Sequence, residues 1–123
     1  MKRLTWYTNA GVQLACTLDG YPLEDLARDI KSGALELWRF DDGTLCVLEH
    51  QAKDQTLYVW AIAGESMRRW SYTILLEAVR RGCSFIGFRT RRQGLPRMLR
   101  DLKPLRLGNI GDDGKEFRIA VAA

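Results

Sequence analysis

The strongest constraint on the fold is a strand, turn, helix and strand unit between Thr56 and Thr90. Residues 57–63 are almost continuously apolar, which is typical of a strand buried on both faces. Residues 64–66 end that strand, and Ser66 is a suitable N-cap for a helix of about four turns. Residues 84–90 have the composition of a second strand. A crossover of this length predicts that the second strand lies parallel to the first or is inserted beside it.

Outside this unit, the patterns predict two hairpins and two shorter helices. The hairpins join residues 35–40 to 44–50 and 105–107 to 117–121, and the helices cover residues 22–31 and 95–102. Residues 4–8 are of strand type, and the stretch from there to Pro22 has turn signals. Together these elements predict an α+β fold.

The size and composition of the chain restrict its class. At 123 residues, with 46% hydrophobic residues, we expect a single domain over residues 1–123. No apolar run has the length of a membrane span and no signal peptide is evident, so we expect a cytoplasmic protein without membrane contact. Cys16, Cys46 and Cys83 are isolated in apolar surroundings, which predicts buried free thiols. With one His and no Cys-x-x-Cys pair, a metal site has no support.

The end of the long helix and the strand that follows it resemble a known family. Residues 78–99 run Ala-Val-Arg-Arg-Gly-Cys-Ser-Phe-Ile-Gly-Phe-Arg-Thr-Arg-Arg-Gln-Gly-Leu-Pro-Arg-Met-Leu. This stretch of sequence, together with the order of elements over residues 22–121, is similar to the GNAT N-acetyltransferase superfamily. It resembles in particular the small GNAT-like proteins of tailed bacteriophages and prophages. The resemblance implies a mainly antiparallel sheet with a splayed central strand pair and helices on both faces. It also implies a location in the host cytoplasm or the virion.

The resemblance also implies where acetyl-CoA would bind. In this family the acyl-CoA lies where two neighbouring parallel strands splay apart, with its pyrophosphate at the start of the long helix, where N–H groups and the helix dipole favour phosphate. The strand residues implied for the pantetheine arm are Trp60, Ala61, Ile62 and Ala63. Those implied around the pyrophosphate are Gly64, Ser66, Met67, Arg68 and Arg69. The strand over residues 85–90 would form the other wall.

Two residues at the end of the strand that precedes the central strand are candidate bases for deprotonating an amine. Glu49 and His50 end the preceding strand; a His in general titrates near neutral pH, and burial can raise the pKa of a Glu toward that range. The alternative is that both are solvated residues of a strand end.

The sequence departs from the family pattern at two places. The turn at residues 63–68 has one glycine and an acidic residue where the family has more glycine. Residues 93–103 contain no Tyr to serve as the family's general acid.

Positive charge is concentrated in one part of the chain. Residues 68–106 contain eleven Lys or Arg against two Asp or Glu, although the whole chain has a net charge of only +4. This segment would attract the 3′-phosphate of CoA, a nucleic-acid backbone or an acidic protein partner, or would simply be a solvated basic face. The alternative function is therefore a catalytically inactive GNAT-fold binding or virion-associated protein. Its contact residues would be Arg89, Arg91, Arg92, Arg97 and Arg100.

Overall fold

The computed structural model describes residues 1–14, 22–63, 67–90, 105–110 and 114–121. In these ranges seven strands and three α-helices follow one another along the chain. They are β1 (Lys2–Leu4), α1 (Thr8–Leu14), α2 (Leu23–Ser32), β2 (Glu36–Arg39), β3 (Leu45–Gln51), β4 (Thr56–Ala63), α3 (Met67–Arg80), β5 (Phe85–Thr90), β6 (Leu105–Ile110) and β7 (Gly114–Ala120). The predicted α+β class with a mainly antiparallel sheet is confirmed. The predicted helix over residues 95–102 lies outside the described residues, as does Cys16.

The chain forms two compact units that share strand β4. One contains Met1–Glu49 and Val59–Ser66, and the other contains His50–Tyr58 and Met67–Ala123. Neighbouring strands follow the order β1-β2-β3-β4 in the first unit and β4-β5-β7-β6 in the second. Strand β4 contributes residues 56–58 to the second unit and residues 59–63 to the first.

The hairpin of β2 and β3 has the predicted turn. The strands pair antiparallel, with Trp38 opposite Cys46. The backbone N–H of Phe40 donates to the carbonyl of Thr44 over 2.9 Å, and Gly43 has a φ of 87° in the left-handed region. Glycine adopts this conformation without the steric cost that other residues have, which explains the Asp-Asp-Gly signal.

Helix α2 begins and ends where the sequence predicts. Pro22 is its N-cap residue, and Gly33 ends it in the left-handed conformation, with its N–H donated to the carbonyl of Ile30 over 3.3 Å. Leu26 and Ile30 are buried on its inner face. They belong to the core of the first unit, whose buried members are Ala10, Leu14, Leu26, Ile30, Leu35, Leu37, Leu45, Val47 and Ala61.

Helix α1 was not predicted, because its sequence gives no sustained helical pattern. Only seven residues long, it contains Gly11, which lowers helix propensity. Its stability comes from packing, since Ala10 and Leu14 are fully buried. Gly11 lets the helix approach Trp6 closely, since a Cβ at this position would lie 2.7 Å from the indole carbon Cη2.

Strands β4 and β5 start side by side in the second unit. The backbone N–H groups of Ser84 and Phe85 donate to the carbonyl of Gln55 over 2.7 and 3.1 Å. Farther along β5, Gly87 packs so closely on β4 that a Cβ would lie 2.7 Å from Cδ2 of Tyr58. Residues 84 and 85 thus contact residue 55, and residue 87 farther along β5 contacts residues 56 and 58 farther along β4. Because the contacts move along both strands in the same direction, the strands are parallel, one of the two arrangements that the length of the crossover predicts.

Strands β5, β6 and β7 complete the second unit. Strand β7 pairs antiparallel with both neighbours, and its pairing with β6 shifts register between Arg106 and Gly108. The guanidinium carbon of Arg118 lies 4.6 Å from the ring centre of Phe85, a cation–π contact. The predicted final hairpin is confirmed and extends farther than its apolar residues indicated. In the described ranges, no helix is both long enough and apolar enough to cross a bilayer.

Candidate functional site

The end of β4 is the first part of the candidate site. Residues 56–59 are buried, whereas Ile62 and Ala63 near the end of the strand are half-buried. Ala61 is 5% exposed in the core of the first unit, and Trp60 and Ala63 pack against that core. The end of the strand is therefore held firmly on the core while its exposure increases toward the turn.

Helix α3 supplies the second part. It begins at Met67, four residues after the end of β4 in the chain, and its first turn contains no acidic residue. The first N–H groups of a helix have no partner within the helix, and the helix dipole gives this end a partial positive charge. Arg68 and Arg69 lie in the same turn of the sequence. The start of α3 is thus suited to an anion such as a phosphate group.

The candidate bases lie at the end of β3. Glu49 is half-buried and His50 is exposed. The imidazole Nε2 of His50 lies 3.6 Å from Sγ of Cys83, which is 6% exposed. Burial raises the pKa of the Cys83 thiol, an effect opposed by the charge of Arg81 and reinforced by that of Glu77. The thiol therefore keeps its proton at neutral pH and can donate it to an imidazole nitrogen.

The C-terminal end of α3 is stabilised by an ion-pair cluster. The carboxylate of Glu77 accepts hydrogen bonds from Arg80 and from Nε of Arg81, the latter over 2.8 Å. The hydrogen bond from Arg80, followed by that from Arg81, lowers the pKa of Glu77 to about 2, although partial burial opposes the shift. This cluster fixes the end of the helix opposite to the candidate phosphate site.

The structure describes some of the predicted site residues and not others. Residues 60–63 are described with their side chains, and the backbone of residues 67–69 forms the first turn of α3. Gly64 and Ser66 lie outside the described residues, as do the side chains of the predicted basic contact residues, which run from Arg89 to Arg100. The roles given to all of these residues, and to Glu49 and His50, stay predictions.

The contact between His50 and Cys83 was not predicted as a pair. The residues are 33 positions apart, and neither has a motif that points to the other. The only signal was that each sits at the end of an element, His50 near the end of β3 and Cys83 just before β5. The predicted burial of free thiols is confirmed for Cys46 and Cys83.

Comparisons with known proteins give a fold but no close relative. No protein family model matches the chain, and no curated protein sequence matches it. Solved structures do match, and several are acetyltransferases. The ribosomal-protein-S18-alanine N-acetyltransferase from Escherichia coli has a TM-score of 0.64 at 8% identity, with 99% of this chain and 94% of the other covered.

Two further structures agree with this one. An aminoglycoside 6′-acetyltransferase has a TM-score of 0.62 at 13% identity, with 100% of this chain and 99% of the other covered. An acetyltransferase from Bacillus subtilis in complex with CoA has a TM-score of 0.58 at 14% identity, with coverages of 98% and 97%. The chain therefore has the fold of the GNAT acetyltransferases.

Proposed function

We propose that this protein binds acyl-CoA and transfers an acetyl group to an amine. The observation that carries the proposal is the junction of β4 and α3, where a strand end held on the core leads into a helix whose first turn has no acidic residue. The CoA complex of the Bacillus subtilis acetyltransferase, which has the same fold, supports the ligand. The acetyltransferases among the structural neighbours support the reaction.

The residues proposed to hold acyl-CoA are those of the junction. Residues 60–63 would contact the pantetheine arm, and the pyrophosphate would lie on Gly64, Ser66 and the turn over residues 67–69. The free N–H groups and the positive dipole end of a helix whose first turn has no acidic residue favour a polyphosphate, although Glu65 in the preceding turn opposes it.

Acetyl-CoA would supply the thioester, and the protein would orient and polarise it. Backbone N–H groups at the end of β4 would donate to the carbonyl oxygen as negative charge develops there. A C–N bond then forms as the C–S bond breaks, the amine loses one proton, and the CoA sulfur leaves as a thiolate. Glu49 or a water molecule would accept the amine proton, since His50 lies against Cys83 at the opposite end of α3.

Calorimetric titration with acetyl-CoA tests the binding step. We expect saturable binding to the unaltered protein and a loss of about tenfold or more in affinity for Gly64→Glu, since the added carboxylate would repel the pyrophosphate. Ala34→Glu, which adds the same charge at an exposed position in the first unit, is the matched control and should bind normally. Absence of binding to the unaltered protein at millimolar acetyl-CoA would refute the proposal.

Mass spectrometry of reaction mixtures tests the transfer step. The amines to be offered with acetyl-CoA are an aminoglycoside and a peptide with a free N-terminal alanine, the classes that the neighbours' names suggest. An acetylated product that requires the protein would support an enzyme. Binding of acetyl-CoA without any acetylated amine would leave the ligand site standing and remove only the transfer.

The charge distribution favours a second candidate function. The excess of positive charge in residues 68–106, the single glycine of the turn and the lack of a Tyr in residues 93–103 suit a catalytically inactive binding protein, including a virion-associated protein of the phage type. Such a protein would act in the cytoplasm or the virion through Arg89 to Arg100. Binding to an acidic protein or to nucleic acid that weakens steeply with salt, without binding of acetyl-CoA, would favour this function.

A further inference from the structure

Helix α3 has two apolar faces, and only one of them is buried. Ile74 and Ala78 are fully buried on the inner face. Tyr72, Leu76 and Val79 are 54%, 69% and 53% exposed. Their spacing of four and three residues places them on one face of the helix, which we call the outer stripe. A helix at a protein surface usually presents polar residues to water, so a stripe of this kind indicates a contact that the described residues do not make.

The charges beside the outer stripe select the kind of partner. The only acidic residue of α3, Glu77, already binds Arg80 and Arg81. Arg80, next to Val79 at the end of the stripe, keeps 67% of its side chain exposed despite this ion pair. Over residues 67–81 four arginines oppose one glutamate, a net charge of +3. A second copy of this helix would bring like charges together, whereas an acidic surface would be attracted.

We propose that the outer stripe binds an acidic amphipathic helix of a partner protein. Apolar residues of the partner would cover Tyr72, Leu76 and Val79, and carboxylates beside them would face Arg80 at the C-terminal end of α3. This is the helix-recognition mode in which a few apolar anchors give affinity and flanking charges give orientation. The site differs from the candidate acyl-CoA site and does not depend on the proposed transfer reaction.

Fluorescence anisotropy with a designed peptide tests the proposal. The probe is a labelled amphipathic helix of about five turns with leucines on one face and glutamates beside them. Two comparison peptides replace every glutamate by lysine or scramble the order of the residues. We expect the acidic helix to bind with an affinity that falls as salt is added, and both comparison peptides to bind at least tenfold more weakly.

Variants of the protein assign the binding to the outer stripe. Leu76→Ala and Val79→Ala should each weaken peptide binding about tenfold, because they remove apolar anchors without changing charge. Val12→Ala is the matched control, since Val12 is 67% exposed on α1 outside the stripe and its truncation should have no effect. All three positions are exposed, so circular dichroism should show unchanged folding.

Three outcomes would overturn the proposal. The first is equal loss of binding in Val12→Ala and Val79→Ala, which would show that the stripe is not the site. The second is equal or tighter binding of the lysine peptide. The third is a dimer in sedimentation equilibrium that dissociates in Leu76→Ala, which would assign the stripe to a second copy of the chain.

Discussion

The imidazole Nε2 of His50 lies 3.6 Å from the thiol sulfur of Cys83, at the end of α3 opposite to the candidate phosphate site. Cys83 is held there by its backbone N–H, which donates to the carbonyl of Ala78 over 2.9 Å. The 14 residues of α3 extend about 20 Å, so the His50–Cys83 pair and the start of the helix are far apart.

This separation predicts that the pair has no part in holding the CoA phosphates. His50→Asn and Cys83→Ser should bind acetyl-CoA with affinities within about twofold of the unaltered protein, because neither residue can reach the start of α3. Calorimetric titration measures this directly. A loss of affinity in His50→Asn that Cys83→Ser does not share would contradict the expectation and place His50 near the CoA phosphates.

The two buried thiols should react slowly in the folded protein. Cys46 is fully buried and Cys83 is 6% exposed, and burial raises the pKa of both thiols above the usual value of 9.0. Because the thiolate is the reactive form, iodoacetamide at pH 8 should label both residues far more slowly than in urea, with Cys46 the slower. Mass spectrometry of peptides gives the two rates. Rapid labelling of Cys83 in the folded protein would contradict its burial.

The same burial predicts a loss of stability in alkali. Above pH 9.0 the unfolded chain loses the proton of Cys46 while the folded chain keeps it, so the free energy of unfolding falls as the pH rises. Cys46→Ala should be less stable at pH 7 by about 1 kcal/mol because of the cavity, and should lose less stability between pH 9 and pH 11. Urea unfolding at each pH measures both effects. Parallel curves for the two proteins would contradict the prediction.

Gly87 should be sensitive to the addition of a single methyl group. A Cβ at this position would lie 2.7 Å from Cδ2 of Tyr58 and 3.2 Å from Cγ2 of Thr56. Both neighbours are buried and have little room to move, so Gly87→Ala should lower the free energy of unfolding by about 1–3 kcal/mol. Urea unfolding is the measurement. Gly43→Asn is the control, because position 43 has open space around it and asparagine tolerates its positive φ.

Local patterns were sufficient to predict most elements of the fold. The turn chemistry at Gly43 and Gly33 and the apolar run of β4 each depend on a few consecutive residues, and the elements predicted from them are confirmed. Helix α1 could not be predicted in this way. Its stability depends on the burial of Leu14 and on contact with Trp6, which exist only after the first unit has packed.

The candidate site was less predictable than the fold. The junction of β4 and α3 was found because a strand, a turn and a helix follow one another along the chain. The contact of His50 with Cys83 requires two distant segments to meet, and no local pattern encodes such a meeting. The outer stripe was not found either. The sequence shows that Leu76 is apolar but cannot show that it is 69% exposed.

The ion-pair cluster at the end of α3 predicts a specific dependence of stability on pH. Its hydrogen bonds to Arg80 and Arg81 lower the pKa of Glu77 from the usual 4.5 to about 2. Because the folded chain holds the ionised form more strongly than the unfolded chain does, this contribution is complete above pH 4.5 and is lost as the pH falls toward 2. Glu77→Gln should therefore reduce the free energy of unfolding at pH 7 by about 1 kcal/mol and have little effect near pH 2.

Urea unfolding of both proteins between pH 2 and pH 7 measures this difference. Glu24→Gln is the matched control, since Glu24 is an exposed glutamate in the first turn of α2 and its replacement should change stability only slightly across this range. Added salt should reduce the effect of Glu77→Gln only in part, because the side chains of Glu77 and Arg81 are each just 11% exposed. A difference between the two proteins that persists unchanged at pH 2 would mean that Glu77 stabilises α3 through packing rather than through its charge.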